Sequence, residues 1–156
     1  MRMLLALIIA LFAALPAIAA EPEPASRGQT VYVPVYSHIW HGNLDAKGRP
    51  QELLLSSMLS IRNTDADDGL TIKSVRYYDS DGKLLREYMQ TPKRLGPMAS
   101  ADTFVEHKDS AGGTGANFIV EWTADKPINP PVIETVNAYF FGPHSLAFTS
   151  PGKPIR

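Results

Sequence analysis

No cysteine occurs in the 156 residues of this chain. Its absence excludes disulfides, thiolate metal sites, a thiol nucleophile and the acylated N-terminal cysteine of a lipoprotein. Net charge is nearly as scarce, with fifteen basic side chains against sixteen acidic ones. A grip on nucleic acid needs a basic face that neutralises phosphates, and a hold on an anionic membrane surface needs a polybasic patch. The composition supplies neither. Helical periodicity is missing as well: no window repeats apolar residues every three or four positions, and Pro127, Pro130 and Pro131 block a helix ahead of Ile133. Long apolar runs are limited to one, Leu4 to Leu15. At about a dozen residues it is shorter than the roughly 18 to 20 needed to cross a bilayer.

That run has a function of its own. Arg2 precedes it, and Ala17-Ile18-Ala19 follows with the small residues of a cleavage site, so residues 1–19 read as a secretory signal peptide. The expected location is periplasmic or extracellular, with no membrane span after cleavage. Setting Arg2 aside leaves fourteen basic against sixteen acidic side chains, a formal charge of −2 with histidines neutral. Residues 20–29 are rich in Pro, Ala and charge without apolar period, and read as a flexible leader. Residues 30–156 have the length of one ordinary domain, and their aromatic content and even scatter of charge exclude wholesale disorder.

From Thr30 onward the chain breaks into short alternating runs separated by Gly, Pro, Asn and Asp, the pattern of antiparallel β-structure. Val31, Val33 and Val35 share one face, with Pro34 on the other, which places that strand at an edge where a missing N–H is tolerated. Leu53, Leu55, Ser57, Leu59 and Ile61 form a second inward set, opposite a more polar face that includes Met58 and Arg62. Leu70 to Tyr78 and Leu84 to Tyr88 flank Asp79-Ser80-Asp81-Gly82, a hairpin signal in which Gly82 takes the positive φ. Leu70 and Ile72 share a parity that Val75 and Tyr77 do not, so a bulge is predicted near Lys73 or Ser74. Further runs fall at Ala101 to Glu106, Asn117 to Thr123, Ile133 to Phe141 and Leu146 to Ser150, with Phe118, Val120 and Trp122 inward. The sum is an all-β sandwich of about seven to eight strands.

Four segments carry a resemblance: Tyr32-Val33-Pro34-Val35-Tyr36-Ser37-His38-Ile39, Leu59-Ser60-Ile61-Arg62-Asn63-Thr64-Asp65, Tyr77-Tyr78-Asp79-Ser80-Asp81-Gly82-Lys83-Leu84 and Gly112-Gly113-Thr114-Gly115-Ala116-Asn117-Phe118-Ile119-Val120-Glu121-Trp122. In this order, from about Val31 to the C-terminus, the chain resembles a domain-of-unknown-function family of small exported bacterial proteins. The resemblance transfers no activity. It departs at Asn137-Ala138-Tyr139-Phe140-Phe141, where smaller residues are expected. An Asn-Thr-Asp turn followed by a Tyr-Tyr-Asp hairpin is also similar to immunoglobulin-like modules of bacterial envelopes, and implies an immunoglobulin-like antiparallel β-sandwich.

The best concentration of functional groups is His38-Ile39-Trp40-His41 with Asp45 shortly after. Read as a surface loop, it offers Trp40, His38, His41 and Asp45 as contacts for an envelope protein or another periplasmic component. Read as a metal site, His38 and His41 ligate Zn or Cu, with Asp45, His107, His144 or a methionine completing the shell. The blander reading ends a strand at His38 and leaves His41 solvated. Asn63, Asp65 and Asp67 match positions one, three and five of a calcium loop, but Asp68 and Ser74 stand where glycine and the bidentate glutamate belong, leaving at most weak Ca²⁺ binding. Gly112-Gly113-Thr114-Gly115 is followed by a strand, so it reads as a turn with close backbone approach rather than a phosphate cradle.

Catalysis has less footing. No Gly-x-Ser-x-Gly elbow exists, and Ser37-His38 and His144-Ser145 are neighbours in sequence, which in a strand face opposite ways. Glu106 and Glu121 are expected on neighbouring strands, equally well explained as solvent-facing. Among the aromatics, Tyr77, Tyr78, Tyr139, Trp122 and Trp40 are platform candidates. Alternation puts Trp122 in the core and leaves Trp40 as the surface residue. The expectation is therefore an exported, non-catalytic binding or accessory module, with a metal-binding protein as the alternative and a hydrolase as the least supported reading. Export has a direct check: N-terminal sequencing of the protein from the periplasmic or extracellular fraction should begin at about residue 20, and a chain still starting at Met1 there would contradict it.

Overall fold

The computed structural model describes residues 23–156, so the expected signal segment lies outside the described residues. In chain order the strands are β1 (Ser26–Pro34), β2 (His38–His41), β3 (Gln51–Leu54), β4 (Ser56–Arg62), β5 (Leu70–Tyr78), β6 (Leu84–Glu87), β7 (Lys93–Leu95), β8 (Ser100–Val105), β9 (Asn117–Ile128), β10 (Val132–Phe141), β11 (His144–Pro151) and β12 (Lys153–Pro154). One sheet runs β12-β1-β9-β5-β6, with β7 also paired to β5. The second runs β11-β10-β4-β8, and β2 and β3 form a separate ribbon. Every pairing is antiparallel.

Alternation explains the long strands. Val31 and Val33 of β1, Phe118, Val120 and Trp122 of β9, and Leu70, Ile72, Val75 and Tyr77 of β5 are all buried. They meet Leu59 and Ile61 of β4, Ala101 and Val105 of β8 and Ile133 of β10 in one core. The parity break in β5 is resolved as expected. Against β9, Ile72 pairs with Trp122 and Ser74 with Glu121, so Lys73 is the extra residue of a bulge. That single insertion lets all four apolar side chains of β5 point inward.

The turns follow local chemistry. Asp79 Oδ1 accepts from the amides of Asp81 at 3.0 Å and Lys83 at 2.8 Å, and Gly82 has φ 79°, closing the β5–β6 hairpin. At Gly112 an added Cβ would overlap the Tyr77 hydroxyl and lie 2.7 Å from Ser37 Oγ, so the close approach expected of the glycine turn is real. Pro34 does not lie on an edge strand as expected, because β1 sits between β12 and β9. Thr30 exchanges bonds with Arg156 and Ile155 on the β12 side, and Pro34 shares that parity beyond the short reach of β12, which pairs only Val31 and Tyr32. Its missing N–H therefore breaks no ladder, and its carbonyl accepts from Thr135 Oγ1 at 2.6 Å.

Several expectations need correction. Among the described residues there are twelve strands where periodicity pointed to seven or eight, because β2, β3, β7 and β12 have four residues or fewer and show no readable alternation. The inward run from Leu53 to Ile61 is split at Leu55 between β3 and β4. Strand β1 begins at Ser26, inside the stretch read as a leader, and pairs Ser26 with Ile128. Glu106 and Glu121 are not on neighbouring strands: Glu106 follows β8 in one sheet, whereas Glu121 lies in β9 of the other.

Trp122 is 1% exposed at the centre of this core. Trp122→Ala should cost about 3 to 5 kcal/mol in denaturant unfolding, the range for deleting a buried aromatic side chain. A loss under about 1 kcal/mol would mean the indole is not packed as described.

Candidate functional site

The residues singled out between Ser37 and Asp45 belong to the β2–β3 ribbon rather than to a loop. Ser37 anchors its root: the amide donates to Gly113 O at 3.1 Å, and the hydroxyl lies 3.1 Å from the Tyr77 hydroxyl. Leu55, fully buried, closes the other side by donating its amide to Ser37 O at 2.9 Å. Between these points His38 pairs with Leu54, Ile39 with Leu53, Trp40 with Glu52 and His41 with Gln51. Among the described residues no other strand pairs with this ribbon.

Strand alternation decides what the ribbon can do. His38 and Trp40 share one face, and Ile39 and His41 share the other. Two imidazoles three residues apart on one strand therefore do not converge on one ion, and among the described residues no group of three or more His, Asp or Glu is arranged to hold a metal. Nδ1 of His38 is buried and has no hydrogen-bond partner among the described residues. Trp40 is 61% exposed and Leu44, at the tip, 67%. The ribbon thus presents an uncovered aromatic and an uncovered aliphatic side chain near its turn.

Asp45 organises that turn. Its Oδ1 accepts from the amides of Lys47 at 2.8 Å and Arg49 at 3.0 Å, while its Oδ2 takes the Arg49 fork at 3.0 and 2.9 Å. The Arg49 amide and then the Arg49 guanidinium hold the carboxyl below its ordinary value of 3.8. Its lone pairs are engaged in shaping the loop, whereas Trp40 remains uncovered beside it.

The other candidates are engaged in the same way. Asn63 donates Nδ2 to the carbonyls of Asp68 at 2.7 Å and Gly96 at 2.8 Å, and its Oδ1 accepts from Asp65 N at 3.1 Å. Asp65 accepts from the amides of Asp67, Asp68 and Asn129, which lower its pKa, the Asp67 amide most. Lys126 Nζ, 2.9 Å from Asp68 Oδ2, supplies the cation of this cluster. A calcium ion would have to displace those donors. Ser80 accepts from Gly115 N and donates to Gly112 O, fastening the glycine turn to the β5–β6 hairpin. Glu121 pairs with Arg76, His107 lies with its ring centroid 6.3 Å from that of Tyr139, and Tyr77 and Trp122 are buried.

Sequence reasoning missed that His38 to His41 is a strand. The signal available was Asp45-Ala46-Lys47-Gly48, whose Gly48 has φ 75° and whose amide donates to Asp45 O at 2.9 Å, a turn between Ile39-Trp40 and Leu53-Leu54. The depressed carboxyl sets a pH dependence. Bonds to the ionised form stabilise the turn above the ordinary value of 3.8 and are lost as pH falls through the lower folded value. Hydrogen exchange should show the Lys47 and Arg49 amides of Asp45→Ala opening at neutral pH, whereas the native loop opens only in that acid range. The sandwich midpoint should stay unchanged.

A search of curated proteins finds no match for the chain. A solved structure, titled "Crystal Structure of Thermotoga maritima 1070", aligns at 15% identity with a TM-score of 0.44, covering 83% of this chain and 94% of that one. Residues 28–155, from within β1 to just beyond β12, match a single family model; the chain belongs to the family described as "Protein of unknown function (DUF3124)".

Proposed function

We infer that the protein is an exported, non-catalytic binding or accessory module of the bacterial cell envelope, and that it contacts its partner through the β2–β3 ribbon. The observation that carries this reading is the 61% exposure of Trp40 on a ribbon that no other described strand pairs with. Large aromatics held on ordered backbone are favoured anchors in interfaces, because they bring apolar area at little entropic cost. Export is supported by Arg2, the Leu4 to Leu15 run and Ala17-Ile18-Ala19. The antiparallel sheets are consistent with the likeness to immunoglobulin-like envelope modules, which expose loops and edges for contacts. The Asp45 carboxylate serves the ribbon's turn, and Glu106 and Glu121 do not share a sheet, so a hydrolytic reading has less support.

The test uses native envelopes and covalent cross-linking. Trp40→Ala should keep the melting temperature and reduce the specific cross-linked adduct by about tenfold or more, the effect of losing one interface anchor. His38→Ala with His41→Ala should reduce it less. If only the histidine pair loses stoichiometric Zn or Cu and Trp40→Ala changes nothing, the metal-binding alternative replaces this reading. If both variants keep every adduct and the metal content, the ribbon is structural and the proposal fails.

A further inference from the structure

The free edges of the two sheets are not alike. Strand β6 carries Arg86 and Glu87, β7 carries Lys93 and Arg94, and β12 is two residues long with a lysine and a proline. Strand β8 carries Asp102 and leads into Glu106, Lys108 and Asp109. Charge, proline and short length are the devices by which proteins stop an edge from pairing with another chain. Strand β11 has eight residues, His-Ser-Leu-Ala-Phe-Thr-Ser-Pro, with no Lys, Arg, Asp or Glu. Among the described residues it pairs only with β10.

The donors facing outward can be identified. Gly152 donates its amide to Ile133 O at 2.8 Å, and the β10–β11 register continues unbroken from Glu134–Pro151 to Phe141–His144. In an antiparallel ladder, alternate residues bond to the same neighbour. Ser150, Phe148 and Leu146 therefore bond to β10, whereas Ser145, Ala147 and Thr149 turn their N–H and C=O groups to the open side. Pro151 shares the outward parity but has no N–H to offer. Pro143, in the turn, limits the strand at its other end. The open set is centred on Ala147.

We propose that β11 pairs with β11 of a second copy, antiparallel about a two-fold axis at Ala147, joining the two four-stranded sheets into one. This register sets Ser145 against Thr149 of the second copy and Ala147 against Ala147, giving about six ladder bonds. The prolines coincide at the two ends, so neither removes a donor from the middle. Leu146, 37% exposed, falls opposite Phe148 of the second copy, twice, in the closer non-hydrogen-bonded pairs. Self-pairing about this axis brings matched positions of one sequence together, and like charges directly opposite are destabilising. An uncharged strand symmetric in its donors suits a second copy of itself better than it needs to suit an unrelated peptide. The pairing residues lie on β11, whereas Trp40 lies on β2.

The absence of cysteine makes the test clean. Light scattering on the purified protein should give twice the monomer mass. Opposed Cα atoms of a hydrogen-bonded pair lie about 5.5 Å apart, within reach of a disulfide. Ala147→Cys should therefore oxidise to a covalent dimer. Ser145→Cys alone should not, because its counterpart lies about 13 Å away along the strand, and Ser145→Cys with Thr149→Cys should. Ala147 is exposed, so Ala147→Lys and Ala147→Glu should each fold with an unchanged circular dichroism spectrum, weaken the dimer by about tenfold or more, and re-form it when mixed. A wild-type monomer at hundreds of micromolar overturns the proposal, including the case where β11 is protected only by a foreign strand in native envelopes. Equal cross-linking of Ser145→Cys and Ala147→Cys also overturns it.

Discussion

The side-chain amide of Asn137 makes four hydrogen bonds in the interior: it accepts from Tyr36 N and Ser57 Oγ, and donates to Thr135 Oγ1 and Ser150 Oγ. Thr135 in turn donates to Pro34 O. Apolar burial is non-directional and would permit the two sheets to slide over one another. This seam is directional. It ties β10 to β4 and β11 within one sheet, and to the segment that leaves β1 in the other. Each group left without its partner there would cost about 1 to 3 kcal/mol, so the alignment of the sheets and the exit of the chain toward the ribbon are set together.

The segments that carry the family resemblance meet at such joints. Ser37, Tyr77, Ser80 and Gly112 form one contact zone, where a turn, a hairpin and the root of the ribbon are held side by side. Asn63 and Asp65 form another, joining the end of β4 to the loops before β5 and before β8 and to Asn129. Burial pushes the Tyr77 hydroxyl to a higher pKa, in keeping with a neutral group that bonds Ser37 rather than one prepared for proton transfer. Recognisable sequence motifs can thus mark where a β-fold turns its corners.

The long strands were legible in the sequence from a repeating period of two, and the four-residue β6 from the Asp79 to Gly82 turn before it. Phe118, Val120 and Trp122, and the shift between Ile72 and Val75, could be read because several buried side chains report one parity. Without a repeat to count or a turn recognised beside them, the short strands β2, β3, β7 and β12 were passed over. The polar seam was hidden for a different reason. Thr135, Asn137 and Ser150 occupy inward positions, so a count of apolar residues alone passes over them. At the candidate site Trp40 is exposed as expected, but on strand β2 rather than in the loop from which the exposure was inferred. The engagement of Asp45 by Arg49 depended on a loop geometry that spacing does not fix.

The ribbon enters and leaves the sandwich through one backbone hydrogen bond, Leu55 N to Ser37 O, with Ser37 and Leu55 both buried beneath it. Everything between those residues lies on the far side of a closed base. Closing a somewhat longer or shorter excursion there changes the entropy only logarithmically. The chain from residue 38 to residue 54 is therefore a graft position, where length and chemistry can vary while the two sheets below it keep the same alignment.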